Sequence, residues 1–294
     1  MKKYAYFPGC SLEKMALSYH KSSLETTRTL GVELEELEDW NCCGATTYFQ
    51  FDEVLANTLV ARNLAMAEKQ GLDFVAPCSA CYKNSYFTNT YMKEDAALSK
   101  KINAVLEIDN LQLSGNLKVH HLIDVFVDEV GTEEIKDKVV NPLTELKIAP
   151  YYGCQIIRPR KNDENVEDPH FFEEILTAIG ADAVNFAYKT RCCGGSLLIT
   201  NRPAALDMIR ILLQNILRSG ADIVATACPL CQVNLEVYQT QVNEEFGTDF
   251  DIPVLYFTQL MGVALGIAPK KLGIGSELVS ALPVLDRFLE KKVN

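Results

Sequence analysis

Ten cysteines fall into two sets of five with the same internal order. The first set is Cys10, the adjacent pair Cys42 and Cys43, then Cys78 and Cys81 in Cys-Ser-Ala-Cys. The second is Cys154, the pair Cys192 and Cys193, then Cys228 and Cys231 in Cys-Pro-Leu-Cys. The gap from pair to CxxC is 34 residues in both sets, 44 to 77 and 194 to 227. The gap from first cysteine to pair is 31 residues in one and 37 in the other. Thiolates repeated in this way point to two matched sites, and thiolates in such numbers usually hold metal.

Four chemistries use cysteines in bulk. Disulfides belong to oxidising compartments, and the chain carries no secretory feature. Structural zinc needs four ligands, commonly from two CxxC hairpins close in sequence. Here each set has one CxxC, an adjacent pair and a distant fifth thiol. A redox dithiol of thioredoxin type needs only the CxxC and leaves six cysteines unexplained. Iron–sulfur clusters account for the most thiols, because an ordinary cubane takes four and a fifth suggests an unusual cluster or an exchangeable ligand. Adjacent cysteines such as Cys42 and Cys43 suit two neighbouring irons better than one. Gly44 and Gly194 follow the pairs, where glycine lets the backbone turn sharply and approach inorganic sulfide.

The elements that must position these thiols repeat as well. Residues 4–10 and 148–154 each read as a short strand stopping at Gly-Cys. Helical stretches follow over about 12–30 and 170–180, the second after a polar loop at 158–169. After a second strand-like run and the Cys-Cys-Gly, a long helix is expected over 51–70 and again over 203–219. The expected apolar faces are Val54, Leu55, Leu59, Leu64 and Met66, and Leu206, Ile209, Leu212, Leu213 and Ile216. Gly71 and Gly220 sit where helices end. Strands at 72–76 and 223–227 run into the CxxC, which opens the next helix, with Pro229 in its first turn. Alternating strands and helices predict an α/β fold of two pseudo-symmetric repeats, each a small parallel sheet. The cysteines then lie at strand C-terminal ends and helix N-termini, where α/β folds place their sites and thiolates are favoured. The expected boundary lies near Pro142, giving domains 1–143 and 144–294. The tail, about 257–292, reads as helical and as a cap on the second domain.

The 294 residues suit two domains, and 48% hydrophobic content supports real cores. The net charge, 28 − 39 = −11, argues against a nucleic-acid interface or a polybasic membrane contact. No run approaches the roughly 18 apolar residues of a membrane span, so direct membrane insertion is not expected. The first ten residues lack the apolar stretch of a signal peptide, and a cytoplasmic location is the expectation. The chain has no ferredoxin cysteine run, no G-x-G-x-x-G and no phosphate-binding P-loop. It is therefore expected to draw its electrons from partner proteins.

At its ten cysteines the chain resembles the B subunit of heterodisulfide reductase, a family of two CCG (cysteine-rich) domains. The resemblance covers nearly the whole chain and extends to Ala61-Arg62-Asn63-Leu64, Tyr152-Gly153-Cys154 and Asp251-Ile252-Pro253-Val254-Leu255. It implies that each five-cysteine set holds one noncubane [4Fe-4S] cluster. Opening a disulfide to two thiols takes two electrons. The resemblance implies reduction of a disulfide of the CoM-S-S-CoB type, with one electron from each cluster. It also implies a ferredoxin-like C subunit and a flavin-bearing A subunit as partners. Two other readings are a subunit acting on a different thiol, persulfide or disulfide, and an electron relay without a substrate of its own. Around the ligands the sequence departs from the family: Tyr151 and Gln155 flank the second first-cysteine, and Val254-Leu255-Tyr256-Phe257 lacks an expected histidine. His120 and His121 at a strand end, and Arg158 and Arg160 after Cys154, are further candidates near the site. His20 and His170 read as ordinary helix residues, Tyr4, Tyr6 and Phe7 as core, and Glu33–Asp39 as a solvated face.

Overall fold

The computed structural model describes residues 2–45, 48–159 and 165–289. The first repeat runs β1 (Lys2–Tyr6), α1 (Leu17–Thr29), β2 (Val32–Glu36), α2 (Tyr48–Phe51), α3 (Glu53–Gln70), β3 (Phe74–Ala76), α4 (Ser79–Glu94), α5 (Ala96–Leu106) and β4 (Val119–His121). The short α6 (Leu122–Asp124), a π-helical stretch at Val125–Val130 and α7 (Thr132–Lys138) lead out of it. The second repeat runs β5 (Lys147–Tyr151), α8 (Phe171–Ala178), β6 (Asp182–Ala183), α9 (Leu197–Thr200), α10 (Arg202–Arg218), β7 (Ile223–Thr226), α11 (Pro229–Glu236), α12 (Gln239–Phe246) and β8 (Val254–Tyr256). Three short helices close the described chain: α13 (Phe257–Ala264), α14 (Pro269–Leu272) and α15 (Leu282–Leu289).

Each repeat is a four-stranded parallel sheet, in the order β2-β1-β3-β4 and β6-β5-β7-β8. The equivalence extends to register: Ala76 lies beside His121 in one sheet, and Thr226 beside Tyr256 in the other. Parallel strands covered by helices are buried on both faces, which is why β3 (Phe-Val-Ala) and β7 (Ile-Val-Ala-Thr) contain no charge. The predicted α/β repeats with cysteines at strand ends are the observed architecture.

Local signals set most helix ends. Asp52 caps α3 by accepting from the Leu55 amide at 2.9 Å, and Gly71 ends it with φ 68°. Asn201 caps α10 through the Ala204 amide, and Pro229 begins α11. The face expected for α10 is buried as read. The face expected for α3 is met only in part: Leu64 is buried and Leu59 and Met66 are half-buried, but Val54 and Leu55 are exposed, and Ala56, Asn57, Val60 and Asn63 face inward. The cause is polar. Asn63 exchanges two hydrogen bonds with the Asn41 backbone, at 3.0 and 2.8 Å, and Asn57 accepts from Thr88 at 2.7 Å. These bonds turn the small residues of α3 toward the cysteine loop. The stretch expected as helix from 12 begins as helix only at Leu17, because the chain first turns after Gly9.

The C-terminal helices differ from a cap on the second repeat alone. α13 packs against α1: Ser22 and Thr258 share a 2.6 Å hydrogen bond, and Tyr19 stacks on Tyr256 with centroids 4.2 Å apart. Phe257 also meets Phe126 and Phe172 edge-on, at 5.9 and 5.7 Å. One apolar core therefore runs through both repeats, with a second cluster on α10 and the far face of the second sheet.

Candidate metal centre built from ten cysteines

The first cysteine of each set follows a strand by way of a left-handed glycine. Gly9 has φ 72° and Gly153 has φ 66°. A Cβ added at Gly9 would lie 3.0 Å from Cys81 Sγ, and one at Gly153 would lie 2.9 Å from Cys231 Sγ. Glycine is required there twice over, by φ and by the close approach of backbone to a thiol. Gly44 and Gly194 also have positive φ, at 66° and 91°, and an added Cβ would meet Tyr48 and Ala205. Their role is a tight turn that lets the next helix approach.

The CxxC cysteines sit where each third strand becomes a helix. Cys78 is the N-cap of α4 and Cys228 the N-cap of α11. Asn84 and Asn234 occupy the same place in both repeats, three residues beyond the CxxC. Asn84 Nδ2 donates to the Cys43 carbonyl at 3.2 Å, and Asn234 Nδ2 to the Cys193 carbonyl at 3.0 Å. Each buried amide thus ties its Cys-Cys pair to the helix that starts at its CxxC. Neither was singled out from sequence, although C-x-x-C-x-x-N recurs in both copies.

Within each set the thiols touch in a line. Cys10 and Cys42 lie 3.8 Å apart, and Cys43 and Cys81 lie 3.2 Å apart. Cys193 and Cys231 lie 3.6 Å apart. Cys154 and Cys192 shift each other's pKa, as do Cys228 and Cys231. The two sets approach each other at Cys78 and Cys228: the Ser79 hydroxyl donates to the Ala227 carbonyl at 3.1 Å, and the Tyr19 hydroxyl reaches the Pro77 and Ala227 carbonyls at 2.9 and 3.5 Å. The inner cysteines of each set are buried, Cys10 and Cys42 are exposed, and Cys154 and Cys192 are half-buried. Among the described residues no three His, Cys, Asp or Glu side chains converge on a single-ion position.

Proton sharing ranks the thiols. Interactions with Cys10 and Cys43, then the Gly44 and Ala45 amides, hold Cys42 down at about 2. Cys192 is held at about 2 by Cys154 and Cys193 in the same way, with the Gly194 amide and the charge of Arg158 adding to it. Cys78 is held well below the thiol range, first by Cys228 and then by Cys81. Cys43, donating to Cys42, is pushed up to about 12. Thiolate character is thus strongest at the first member of each pair and at the junction.

Side chains around the thiols differ between repeats. Lys83, on α4, feels both sets: burial lowers its pKa first, Arg158 lowers it further, and Cys43 and Cys154 act against them. Its twin in the second repeat is Val233, a difference that a repeat-against-repeat comparison could have flagged. Arg158 is exposed and donates to the Cys154 carbonyl at 3.2 Å. Arg160 lies outside the described residues. Lys189, 3% exposed by side chain, pairs with Asp168 and Glu173 at 2.7 and 2.8 Å. Its carbonyl receives the Tyr152 and Gly153 amides, so it fixes the turn into Cys154. No sequence signal distinguished it from a solvated lysine.

The histidines take supporting places. His121 ends β4, is buried, and accepts from the Ile123 amide through Nδ1 at 3.1 Å. Its ring meets Tyr82, the neighbour of Cys81, edge-on at 5.5 Å. His120 is half-buried against Tyr4 at 5.7 Å. His20 bonds Tyr6 at 3.1 Å, and His170 is an exposed residue preceding α8.

The donor set fits a polynuclear group. Five thiols per site exceed what one tetrahedral ion takes, and glycine leaves room beside Cys81 and Cys231 in both copies.

A parallel α/β repeat with one five-cysteine set defines the class, and the wider comparisons agree. The chain belongs to the Cysteine-rich domain (CCG) family, which matches residues 4–84 and 148–236, and within it to the family of heterodisulfide reductase B subunits. It is 33% identical to the B subunit of the ferredoxin/F420H2-dependent CoB–CoM heterodisulfide reductase of Methanosarcina acetivorans, over 99% of this chain and 98% of the relative. It is 36% identical to the 8-methylmenaquinol:fumarate reductase membrane anchor subunit of Wolinella succinogenes, over 95% of this chain and 98% of that one. In structure it is similar to a hypothetical protein from Helicobacter pylori, with TM-score 0.76 at 16% identity. That likeness covers 95% of this chain and 52% of the solved one, and it concerns the fold alone. Among the described residues no helix is long and apolar enough to cross a membrane.

Proposed function

We propose that the chain is the iron–sulfur catalytic subunit of a heterodisulfide reductase-like complex, an oxidoreductase acting on sulfur groups. The observation that carries this reading is the meeting of the two CxxC ends, where the Ser79 hydroxyl, next to Cys78, donates to the carbonyl of Ala227, next to Cys228, at 3.1 Å and makes two five-thiol sites into neighbours. Cys10, Cys42, Cys43, Cys78 and Cys81 hold one noncubane [4Fe-4S] cluster, and Cys154, Cys192, Cys193, Cys228 and Cys231 the other. When bound, each cluster supplies one of the two electrons that, with two protons, open a CoM-S-S-CoB-type disulfide to two thiols.

The chain's own residues prepare that chemistry. Asn84 and Asn234 hold the Cys-Cys turns. Tyr19 and Tyr256 stack over the junction of the two sets and exclude water there. Lys83 and Arg158 put two cations beside Cys43 and Cys154, where an anionic substrate or a thiolate product would be stabilised. The division into domains 1–143 and 144–294, a ferredoxin-like C subunit and a flavin-bearing A subunit as partners, and a cytoplasmic location belong to the same proposal.

A second reading keeps the clusters and removes the substrate. The Wolinella relative is named as a subunit of a fumarate reductase, and the thiols of this chain run in line from exposed Cys10 to half-buried Cys154. Such a line suits an electron relay. The two readings separate in one assay. Anaerobic protein with an artificial one-electron donor is mixed with a low-molecular-weight disulfide, and free thiol is counted. Catalytic release of two thiols per disulfide supports the enzyme. Cluster reduction by the donor with no thiol release rejects it in favour of the relay.

A further inference from the structure

β8 ends at Tyr256, whose side chain is almost wholly buried. It stacks on Tyr19 within 5° of parallel. The two phenols are not equivalent. The Tyr19 hydroxyl donates to the Pro77 carbonyl at 2.9 Å. Among the described residues the buried Tyr256 hydroxyl has no hydrogen-bond partner. A buried hydroxyl left unpaired is costly, and phenylalanine would fill the same space without that cost.

Its surroundings name the missing acceptor. Tyr19, on which it stacks, reaches the Pro77 carbonyl at 2.9 Å and the Ala227 carbonyl at 3.5 Å, the residues just before Cys78 and Cys228. Thr226, two residues before Cys228, lies beside Tyr256 in the sheet. The equivalent position in the first repeat also carries a donor. His121 occupies the same register at the end of β4, and because its Nδ1 accepts, its proton sits on Nε2. Both repeats thus end their fourth strand with a donor.

We propose that Tyr256 is a positioning residue that hydrogen-bonds sulfur at the Cys78–Cys228 junction and raises the reduction potential of the cluster held there. This rests on the cluster reading of the proposed function. Reduction adds negative charge to a cluster, and a hydrogen bond to its sulfur stabilises that charge. Phenylalanine keeps the shape and removes the donor. Histidine restores one.

The test is an anaerobic redox titration followed by EPR, on wild type, Tyr256→Phe, Tyr256→His and Tyr19→Phe matched for iron content. At the wild-type midpoint, the ratio of reduced to oxidised cluster in Tyr256→Phe should be about tenfold lower, equivalent to about 59 mV for a one-electron step. Tyr256→His should return toward wild type, and Tyr19→Phe should titrate with it. Coincident curves for Tyr256→Phe and wild type overturn the inference. So does loss of iron from Tyr256→Phe alone with circular dichroism unchanged, since a tuning donor leaves the ligands in place. If wild type binds no iron, the cluster reading itself fails, and the inference fails with it.

Discussion

Cys78 caps the N-terminal end of α4 and Cys228 that of α11, on the boundary where the two repeats meet. Both helix dipoles point their positive ends at this pair, which favours negative charge on the sulfurs. The Ser79 hydroxyl donates across the same boundary to the Ala227 carbonyl at 3.1 Å. The two sites are therefore coupled at their inner ends and separate at their outer ends. Cys228→Ser should disturb the EPR signals of both clusters, whereas Cys10→Ser should disturb one. Equal, single-signal effects from the two variants would show that the junction carries no coupling.

Asn234 is a structural clamp with two carbonyl acceptors, Cys193 at 3.0 Å and Gly195 at 3.2 Å. Asn234→Ala leaves these buried groups unpaired, at about 1–3 kcal/mol for each group not rescued by water. The melting temperature should fall, and a chelator should strip iron faster from the second set than from the first. Asn84→Ala should reverse that order. Iron loss from both sets at one rate in both variants would contradict the assignment of one clamp to each set.

Glu236 offers a pH-dependent check on the second repeat. Burial raises its pKa above the usual carboxylate value, against the opposing hydrogen bonds from the Leu278 and Val279 amides and Gln232. A raised pKa means the folded state holds the proton more tightly. The associated stability is present below the unfolded value of about 4.3 and is lost as pH rises through the folded value. Glu236→Gln stays neutral and keeps an oxygen for the Leu278 amide, which donates to Glu236 at 2.7 Å. The variant should match wild type near pH 4 and melt a few degrees higher at pH 8. A thermal difference independent of pH would contradict this.

Lys83 is the cation that faces both sets. Lys83→Met keeps much of the apolar stem and removes the charge. For an anionic disulfide, KM should rise about tenfold, equivalent to about 1.4 kcal/mol, with kcat little changed. A neutral disulfide should show no such change, and added salt should weaken the wild-type preference. Equal effects on both substrates would assign Lys83 to packing.

Much of the architecture was legible because it is written twice. The strand-Gly-Cys openings, the Cys-Cys-Gly turns and the CxxC at each third strand's end could be checked against each other. The positions of the ten thiols follow directly from those elements. The α3 face was misread because Val54 and Leu55 look like core, while Asn63 decides the orientation through the Asn41 backbone. Polar residues that organise a turn give no apolar periodicity. The contact of α13 with α1 was not legible for a different reason. It depends on how two repeats dock, through pairs such as Ser22 and Thr258 that are distant in sequence. The orphaned hydroxyl of Tyr256 is visible only once the tertiary structure closes around it.

The central claim is that two iron–sulfur clusters occupy the two five-cysteine sets. The most direct test is iron, acid-labile sulfide and zinc analysis of anaerobically purified protein, with EPR of oxidised and thiol-treated samples. The account predicts about eight irons and about eight sulfides per chain, as two four-iron clusters require, and a signal that responds to added thiol. One or two zincs with little iron after attempted cluster reconstitution would contradict it.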